Sequence, residues 1–265
     1  MKALSFNLLL NYARRFLTLS DFFIMTKKKT ILTGDRPTGP LHIGHYFGSL
    51  VNRKKLQDQY DTYLMIADVQ ALTDHWDEPA KVRENILEVA ADNLALGLNS
   101  ETTLFIQSQI PQIAELTIFY SNLITTNKLK HNPTVKAELK SKSGKFGKFG
   151  ENVTFGFLGY PVSQAADITI VRSNLVPVGA DQLPMIELAR ELIEKFHRTY
   201  NTEIFPLPEP LLSQGQRIQG LDGKAKMSKS LNNCVYLKDS EKDTLKKIKS
   251  AKTDSHSDIG YDPEN

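Results

Sequence analysis

Apolar positions along the chain fall into short continuous runs separated by stretches of helical spacing. Residues 30–33 form one such run and read as a buried strand, followed by a turn rich in structure-breaking residues: Gly34, Asp35, Pro37, Gly39 and Pro40. From Leu41 the spacing becomes helical, through Ile43, Tyr46, Phe47 and Leu50. Residues 62–67 (TYLMIA) are a second strand, ending at Asp68, and residues 79–96 have helical spacing that stops at Gly97, a C-cap residue. Residues 103–107 (TLFIQ) are a third strand, and Pro111 opens another helix. Residues 155–172 read as a largely apolar helix with Pro161 near its beginning. A strand at 175–178 and a long helix to about residue 200 follow. Strands alternating with helices of this length predict an α/β fold with a doubly wound parallel sheet. Such sheets bind ligands beyond the carboxyl ends of their strands, where the opening turn lies.

That turn carries the first candidate chemistry. A strand, a tight turn and a helix opening on glycine is how α/β proteins present backbone N–H groups to a phosphate. No Gly-Lys-Ser/Thr closes it, so it is not a Walker loop. Its mark is His42-Ile43-Gly44-His45, in which two imidazoles flank a residue with no side chain and a ligand can approach the backbone between them. With the helix dipole, these groups can hold an α-phosphate and the oxygens of a nucleotide. For four residues alone, a surface helix that carries two histidines is the competing reading. Far downstream, after a glycine-rich loop, stands Lys226-Met227-Ser228-Lys229-Ser230, which by itself reads as a solvated turn. Asp167 is a carboxylate inside an apolar helix and needs a hydrogen-bond partner, either a local structural one or a donor on a substrate. Gly179-Ala180-Asp181-Gln182, after the strand at 175–178, sets amide and carboxylate groups over the same sheet edge as the opening turn.

Charge and cysteine content narrow the field. With 33 basic and 30 acidic residues the net charge is +3, so any nucleic-acid contact must come from a local patch. One candidate is residues 128–148, with seven lysines and one acid, Glu138, and a loop-like tip, SKSGKFGKFGEN. It can receive an RNA backbone or nucleotide β,γ-phosphates, or be a solvated surface. The single cysteine, Cys234, excludes an intramolecular disulfide, argues against a cysteine-based zinc site and fits a reducing compartment. No apolar run is long enough to span a membrane. Residues 1–25 differ from the rest, rich in Leu and Phe with Lys2, Arg14, Arg15 and one acid, Asp21. They read as upstream sequence before a start at Met25, or as an amphipathic targeting segment.

The two signatures, in this order and with α/β patterning between them, resemble the paired motifs of class I aminoacyl-tRNA synthetases over roughly residues 26–265. YPVSQAADI and VPVGADQLPMIELAR are similar to the tryptophanyl-tRNA synthetases and not to their tyrosyl relatives. KFGKF in the lysine-rich segment resembles a tyrosyl variant of the second signature, but residues 226–230 already occupy the expected place. The resemblance implies a Rossmann-like catalytic domain at 26–235 with a helical insertion at roughly 75–158, and at 236–265 the start of a helical anticodon-binding domain. It implies ATP as a substrate, Mg²⁺ held mainly through the ATP phosphates, L-tryptophan and tRNA(Trp) as partners, a homodimer and no membrane partner. The expected location is the cytoplasm, or the mitochondrion if residues 1–25 are a transit peptide.

Residue roles follow from the same resemblance. His42, His45, Lys226 and Lys229 are implied as catalytic. ATP contacts fall to Arg36, Pro37, Thr38, Gly44, His45, Gly179, Ala180, Asp181 and Ile218, together with Lys226, Met227, Ser228, Lys229 and Ser230. Asp167 is implied to accept the indole N–H, with Tyr160, Gln164 and Gln182 around the amino acid and Tyr160 and Gln182 at its α-amino group. Arg36 stands where relatives have glutamine, so its charge is expected to add to phosphate binding; some relatives have methionine at Gln164. The implied chemistry is attack of the tryptophan carboxylate on the ATP α-phosphorus, loss of pyrophosphate, and transfer of tryptophan to its tRNA; no dedicated metal ligands are expected. Only the first helix of the family's anticodon-reading domain is recognisable, at 241–252, so the sequence predicts tryptophan activation with poor tRNA charging. A non-charging protein that binds tryptophan and ATP is the alternative, and a nucleotidyltransferase of the same fold a third reading.

Overall fold

β1 (Thr30–Asp35) alternates buried side chains between two faces, which places it at the centre of a layered structure. Ile31 packs with Leu56 and Leu175 on one face. Leu32 packs with Met65, Val176 and helical residues such as Ile168 and Ile186 on the other. A strand buried on both faces needs helices above and below the sheet. The computed structural model describes residues 28–141, 153–212, 218–223 and 226–253. The 1–25 extension and the tip of the lysine-rich segment, residues 142–152, lie outside the described residues.

The sheet has five parallel strands in the order β3-β2-β1-β4-β5, with β2 at Asp61–Ile66, β3 at Thr103–Ile106, β4 at Leu175–Val178 and β5 at Glu209–Leu212. This is the Rossmann-like, doubly wound arrangement expected. α1 (Ile43–His45), a π-helical turn (Tyr46–Leu50) and α2 (Val51–Leu56) lead to β2. α3 (Asp68–His75) and α4 (Pro79–Ala95) connect β2 to β3. Between β3 and β4 lie α5 (Gln112–Ser121), α6 (Thr126–His131), α7 (Pro133–Ser141) and α8 (Phe155–Ile170). α9 (Leu183–Tyr200) crosses to β5, and α10 (Glu241–Lys249) ends the described chain, capped by Ser240.

Several boundaries depart from the sequence reading. β1 runs on to Asp35, because Gly34 and Asp35 pair with Met65 and Ile66 of β2. The helix expected from Leu41 begins at Ile43 and passes through the π turn before regular α geometry resumes at Val51. β5 was not foreseen, since Pro210 within FPLPEPLL reads as a loop; an edge strand tolerates it. α6 and α7 occupy residues that the lysine count alone had marked only as a basic segment, and Lys128 there is paired with Glu191 of α9.

The crevice comes from how β1 meets β4. β1 registers with β2 over its whole length but with β4 only at Ile31↔Leu175. Side chains take over the pairing: the Thr30 N–H donates to Asn174 Oδ1 at 2.9 Å and the Leu32 N–H to Ser173 Oγ at 3.1 Å. Beyond that point the carboxyl halves of the two strands are not paired with each other and line one cavity. This is the topological switch point, where neighbouring strands send their connections in opposite directions.

Arg53 of α2 fixes the end of β1. It is 5 % exposed and meets Asp35 through Nη1–Oδ2 at 2.5 Å and Nη2–Oδ1 at 2.9 Å. Asn93 of α4 adds Nδ2–Oδ2 at 3.1 Å, and Nη2 also donates to the Gly34 carbonyl at 3.1 Å. Burial pushes the Asp35 carboxyl up, but the Arg53 charge and the hydrogen bonds from Arg53 and Asn93 outweigh it and hold the group below the ordinary carboxylate value. Gly34 lets β1 lie close against β2, since a Cβ there would stand 2.6 Å from the Met65 carbonyl oxygen.

Arg53→Met strands a buried carboxylate, and breaking such a pair costs about 3–5 kcal/mol. Urea unfolding at pH 7 is expected to show that loss. A depressed carboxylate stabilises above its unfolded pKa and loses this as pH falls, so the deficit should narrow below about pH 4. A variant as stable as the parent at pH 7 contradicts the assignment.

Candidate active site

Two cavities open off the carboxyl edge and share one residue, Arg36. The smaller, of about 340 Å³, lies between the ends of β1 and β4 and is closed by α8. It brings together Tyr160, Gln164, Asp167 and Gln182, with Gly179 at its rim. Asp167 is 2 % exposed, and its Oδ1 accepts from Gln107 Nε2 at 2.8 Å. Burial pushes its carboxyl up to about 7, the Gln107 bond opposing the shift. One oxygen of this carboxylate is held locally while the residue still faces the cavity. Tyr160 is buried, and burial, with Glu138 nearby, pushes its phenol above the ordinary value.

The larger cleft, of about 980 Å³, gathers both signatures: Thr38, His42, Gly44 and His45 from the first, and Lys226, Met227, Ser228 and Lys229 from the second. His42 is the N-cap of α1, its Nδ1 accepting the Gly44 N–H at 3.1 Å, while His45 Nδ1 accepts the His42 N–H at 3.2 Å. A ring whose Nδ1 accepts carries its proton on Nε2, so each imidazole keeps one N–H donor for the cleft. Burial, with Lys229 and Lys226 beside it, pulls His42 down to about 4. Burial, His42 and Lys229 pull His45 down to about 3. Both rings are neutral donors at pH 7.

The helix start corrects one expectation. The Ile43 N–H bonds to the Val235 carbonyl, Gly44 to the His42 ring, and His45 and Tyr46 to the His42 carbonyl. The first-turn N–H groups are thus used internally, and phosphate binding falls to side chains. Gly44 is needed for a steric reason: a Cβ would sit 2.9 Å from the His42 ring.

Lys229 joins the signatures. Its Nζ donates to the Gly39 carbonyl at 2.7 Å, and burial pulls the ammonium down to about 8 although Asp35 acts the other way. Asn233, 4 % exposed, shapes the loop by accepting the Ser228 N–H at 2.8 Å and donating to Asp222 Oδ1 at 3.1 Å. Asp92 of α4 accepts the Leu41 N–H at 2.9 Å. Arg36, expected to add its charge to phosphate binding, meets Asp74 Oδ2 of α3 through Nη1 at 3.0 Å and lines both cavities.

Among the described residues assigned from sequence, Pro37, Ala180, Asp181 and Ile218 line neither cavity, and the Ser230 side chain lies outside what the structure describes. Pro37 is buried in the turn, Ala180 and Asp181 are exposed beyond β4, and the Ile218 carbonyl accepts the Met227 N–H at 3.0 Å. Conversely, Gln70, Asp74, Gln107, Glu138 and Asn233 reach the site or its walls without a sequence signature to mark them. One cavity with a buried carboxylate, adjoining a cleft of cations and neutral donors, suits an amine-bearing ligand with a polar ring beside a polyphosphate.

Comparison with known proteins agrees with this geometry. Residues 25–265 match the family of class I tRNA synthetases for tryptophan and tyrosine. The tryptophan–tRNA ligase of Streptococcus pneumoniae is 52 % identical over 233 residues, covering 86 % of this chain and 67 % of that protein. That of Lactococcus lactis is 53 % identical over 226 residues, 83 % of this chain and 64 % of the relative. The chain thus spans about two thirds of the length of these relatives. The crystal structure of Campylobacter jejuni tryptophanyl-tRNA synthetase complexed with ADP and tryptophan superposes with a TM-score of 0.76 at 33 % identity, covering 86 % of this chain and 69 % of that one. By its sheet, its paired signatures and these matches, the chain belongs to the class I tRNA synthetases of the tryptophan and tyrosine group.

Proposed function

We propose that the chain activates L-tryptophan with ATP and transfers it to tRNA(Trp). The carrying observation is Asp167, a buried carboxylate facing a cavity that meets the two-signature cleft at Arg36. Tryptophan has one ring donor and no ring acceptor, so its indole N–H goes to Asp167. Tyr160, Gln164 and Gln182 surround the amino acid, with Tyr160 and Gln182 at the α-amino group. Its carboxylate then lies toward Arg36, where the cavities meet, and ATP occupies the larger cleft.

Attack of a carboxylate oxygen on the α-phosphorus forms the new P–O bond and breaks that to the β-phosphate, releasing pyrophosphate. The substrate supplies the nucleophile, so the enzyme's part is positioning and charge stabilisation. Neutral His42 and His45 donate N–H groups to phosphate oxygens, and Lys226 and Lys229 supply positive charge. Thr38, Gly44, Met227 and Ser228 line the nucleotide's cleft, and the family resemblance assigns Pro37, Gly179, Ala180, Asp181, Ile218 and Ser230 to the nucleotide as well. Among the described residues no cluster of three or more His, Cys, Asp or Glu side chains could hold a metal, which suits an Mg²⁺ ion carried on the ATP phosphates, where it would neutralise charge. The family resemblance assigns residues 26–235 to a catalytic domain, with a helical insertion at roughly 75–158, and residues 236–265 to the start of a helical anticodon-binding domain. A homodimer working in the cytoplasm completes the reading. No helix among the described residues is long and apolar enough to cross a membrane.

The direct assay is tryptophan-dependent exchange of labelled pyrophosphate into ATP. Exchange driven by tyrosine, or by no amino acid, contradicts the proposal. Asp167→Asn loses the charge behind the indole bond, worth about 1.5–3 kcal/mol, so kcat/KM for tryptophan should fall roughly tenfold or more while KM for ATP holds. Unchanged tryptophan kinetics contradicts the role.

Lys229 predicts an alkaline limb. The ammonium form holds phosphate, and it deprotonates near pH 8 in the free protein, so kcat/KM for ATP should fall above that pH. Lys229→Arg cannot deprotonate and should lose the limb even with a lower maximum. Lys229→Met should cost about 100-fold or more in kcat. An alkaline limb that persists in the arginine variant assigns the titration to another group.

A further inference from the structure

Gln107 stands in the short 3₁₀ turn that follows β3 and is 2 % exposed. Its Oε1 accepts the backbone N–H of Gln70, in the first turn of α3, at 3.0 Å. Its Nε2 donates to Asp167 Oδ1 at 2.8 Å. A backbone N–H can only donate, so the amide has one orientation that satisfies both ends, with Nε2 turned to the carboxylate. All three residues are buried, where an unmet polar group is costly, so the arrangement is strongly specified.

We propose that Gln107 is a positioning residue for tryptophan selection, pinned by the Gln70 N–H so that it holds Asp167 Oδ1 and leaves Oδ2 to accept the indole N–H. This rests on the tryptophan reading of the cavity. Two effects follow. The carboxylate plane is fixed by a bond to its back oxygen, so the front oxygen is aimed before substrate arrives. Because a donor already occupies Oδ1, a proton taken up by Asp167 goes to Oδ2, the oxygen the indole needs, and the ionised form is the binding form.

Several titratable groups of the described residues lie around Asp167. Asp35, Arg36, Arg53, Glu138 and Tyr160 line the same cavity. Tyr120 on α5 and Asp74 on α3 are the titratable members of the buried faces packed on α8, while those of α6 and α9 are apolar. Burial and the Gln107 bond are the influences that set the ionisation of Asp167, in opposite directions. Removing the donor therefore favours the protonated acid and moves the binding profile toward higher pH.

The test is calorimetric binding of tryptophan from pH 6 to 8.5 by the unaltered chain and by Gln107→Glu. Glutamate keeps the length and the acceptor for the Gln70 N–H but replaces the amide donor with a second carboxyl beside Asp167, which also favours the protonated acid, so Gln107→Met separates the lost donor from the added charge. Benzothienylalanine, which lacks the ring N–H, is the control ligand. The variant is expected to bind tryptophan about tenfold more weakly at pH 6.5, as one unit of displacement requires, with the deficit closing toward pH 8.5 and absent for benzothienylalanine. Gln107→Met, which also lacks the donor, should show the same dependence on pH and ligand if glutamate unsettles the fold. A loss equal for both ligands at every pH, or no loss, overturns the positioning role while leaving tryptophan binding intact. Failure of the unaltered chain to bind tryptophan overturns the reading of the cavity, and this inference with it.

Discussion

The buried pair between Asp35 and Arg53 is the constraint on which the site depends. Asp35 closes β1 at the carboxyl edge, and Arg53 lies one turn into the regular helix beyond the first signature. Their contact, with Asn93, fixes the distance between strand end and helix, and the turn from Arg36 to Pro40 must span that fixed gap. Lys229 then reaches from the second signature to the Gly39 carbonyl within that turn. Two segments nearly 200 residues apart thus meet on one anchored loop, and the loop carries Arg36 to the place where both cavities join.

Electrostatics divides the labour between the cavities. Around the larger cleft, burial and mutual repulsion keep both imidazoles neutral and lower the Lys229 ammonium toward its deprotonated form. A polyanion entering there would favour the charged forms, so nucleotide binding adds to the positive charge that the lysines already present. In the smaller cavity the same burial acts on a carboxylate and raises it, with Gln107 as the counterweight. Burial acts against charge in both, while the neighbours decide how much of it survives.

Much of this was legible in the sequence because it was local. Buried runs gave β1, β2, β3 and β4, and the residues named around the amino acid do line one cavity. What escaped was non-local. Arg53 reads as one basic residue in a helix, and only the fold sets it against Asp35. Gln107 reads as the end of a strand until α8 brings Asp167 to it. Arg36 reads as a lone basic residue of the turn, and nothing in the sequence places its partner Asp74 beside it. The occupied Ile43 N–H of α1 was hidden for the same reason, since Val235, which takes it, follows the second signature.

The central claim is that one molecule, tryptophanyl adenylate, fits across the two cavities at Arg36. The most direct measurement is a crystal structure with a non-hydrolysable sulfamoyl analogue of that adenylate. The account predicts the indole in the smaller cavity with its N–H on Asp167, the sulfamoyl group beside Arg36, and the ribose and adenine in the cleft between the signatures. An indole lodged elsewhere, or an analogue confined to one cavity, would contradict it.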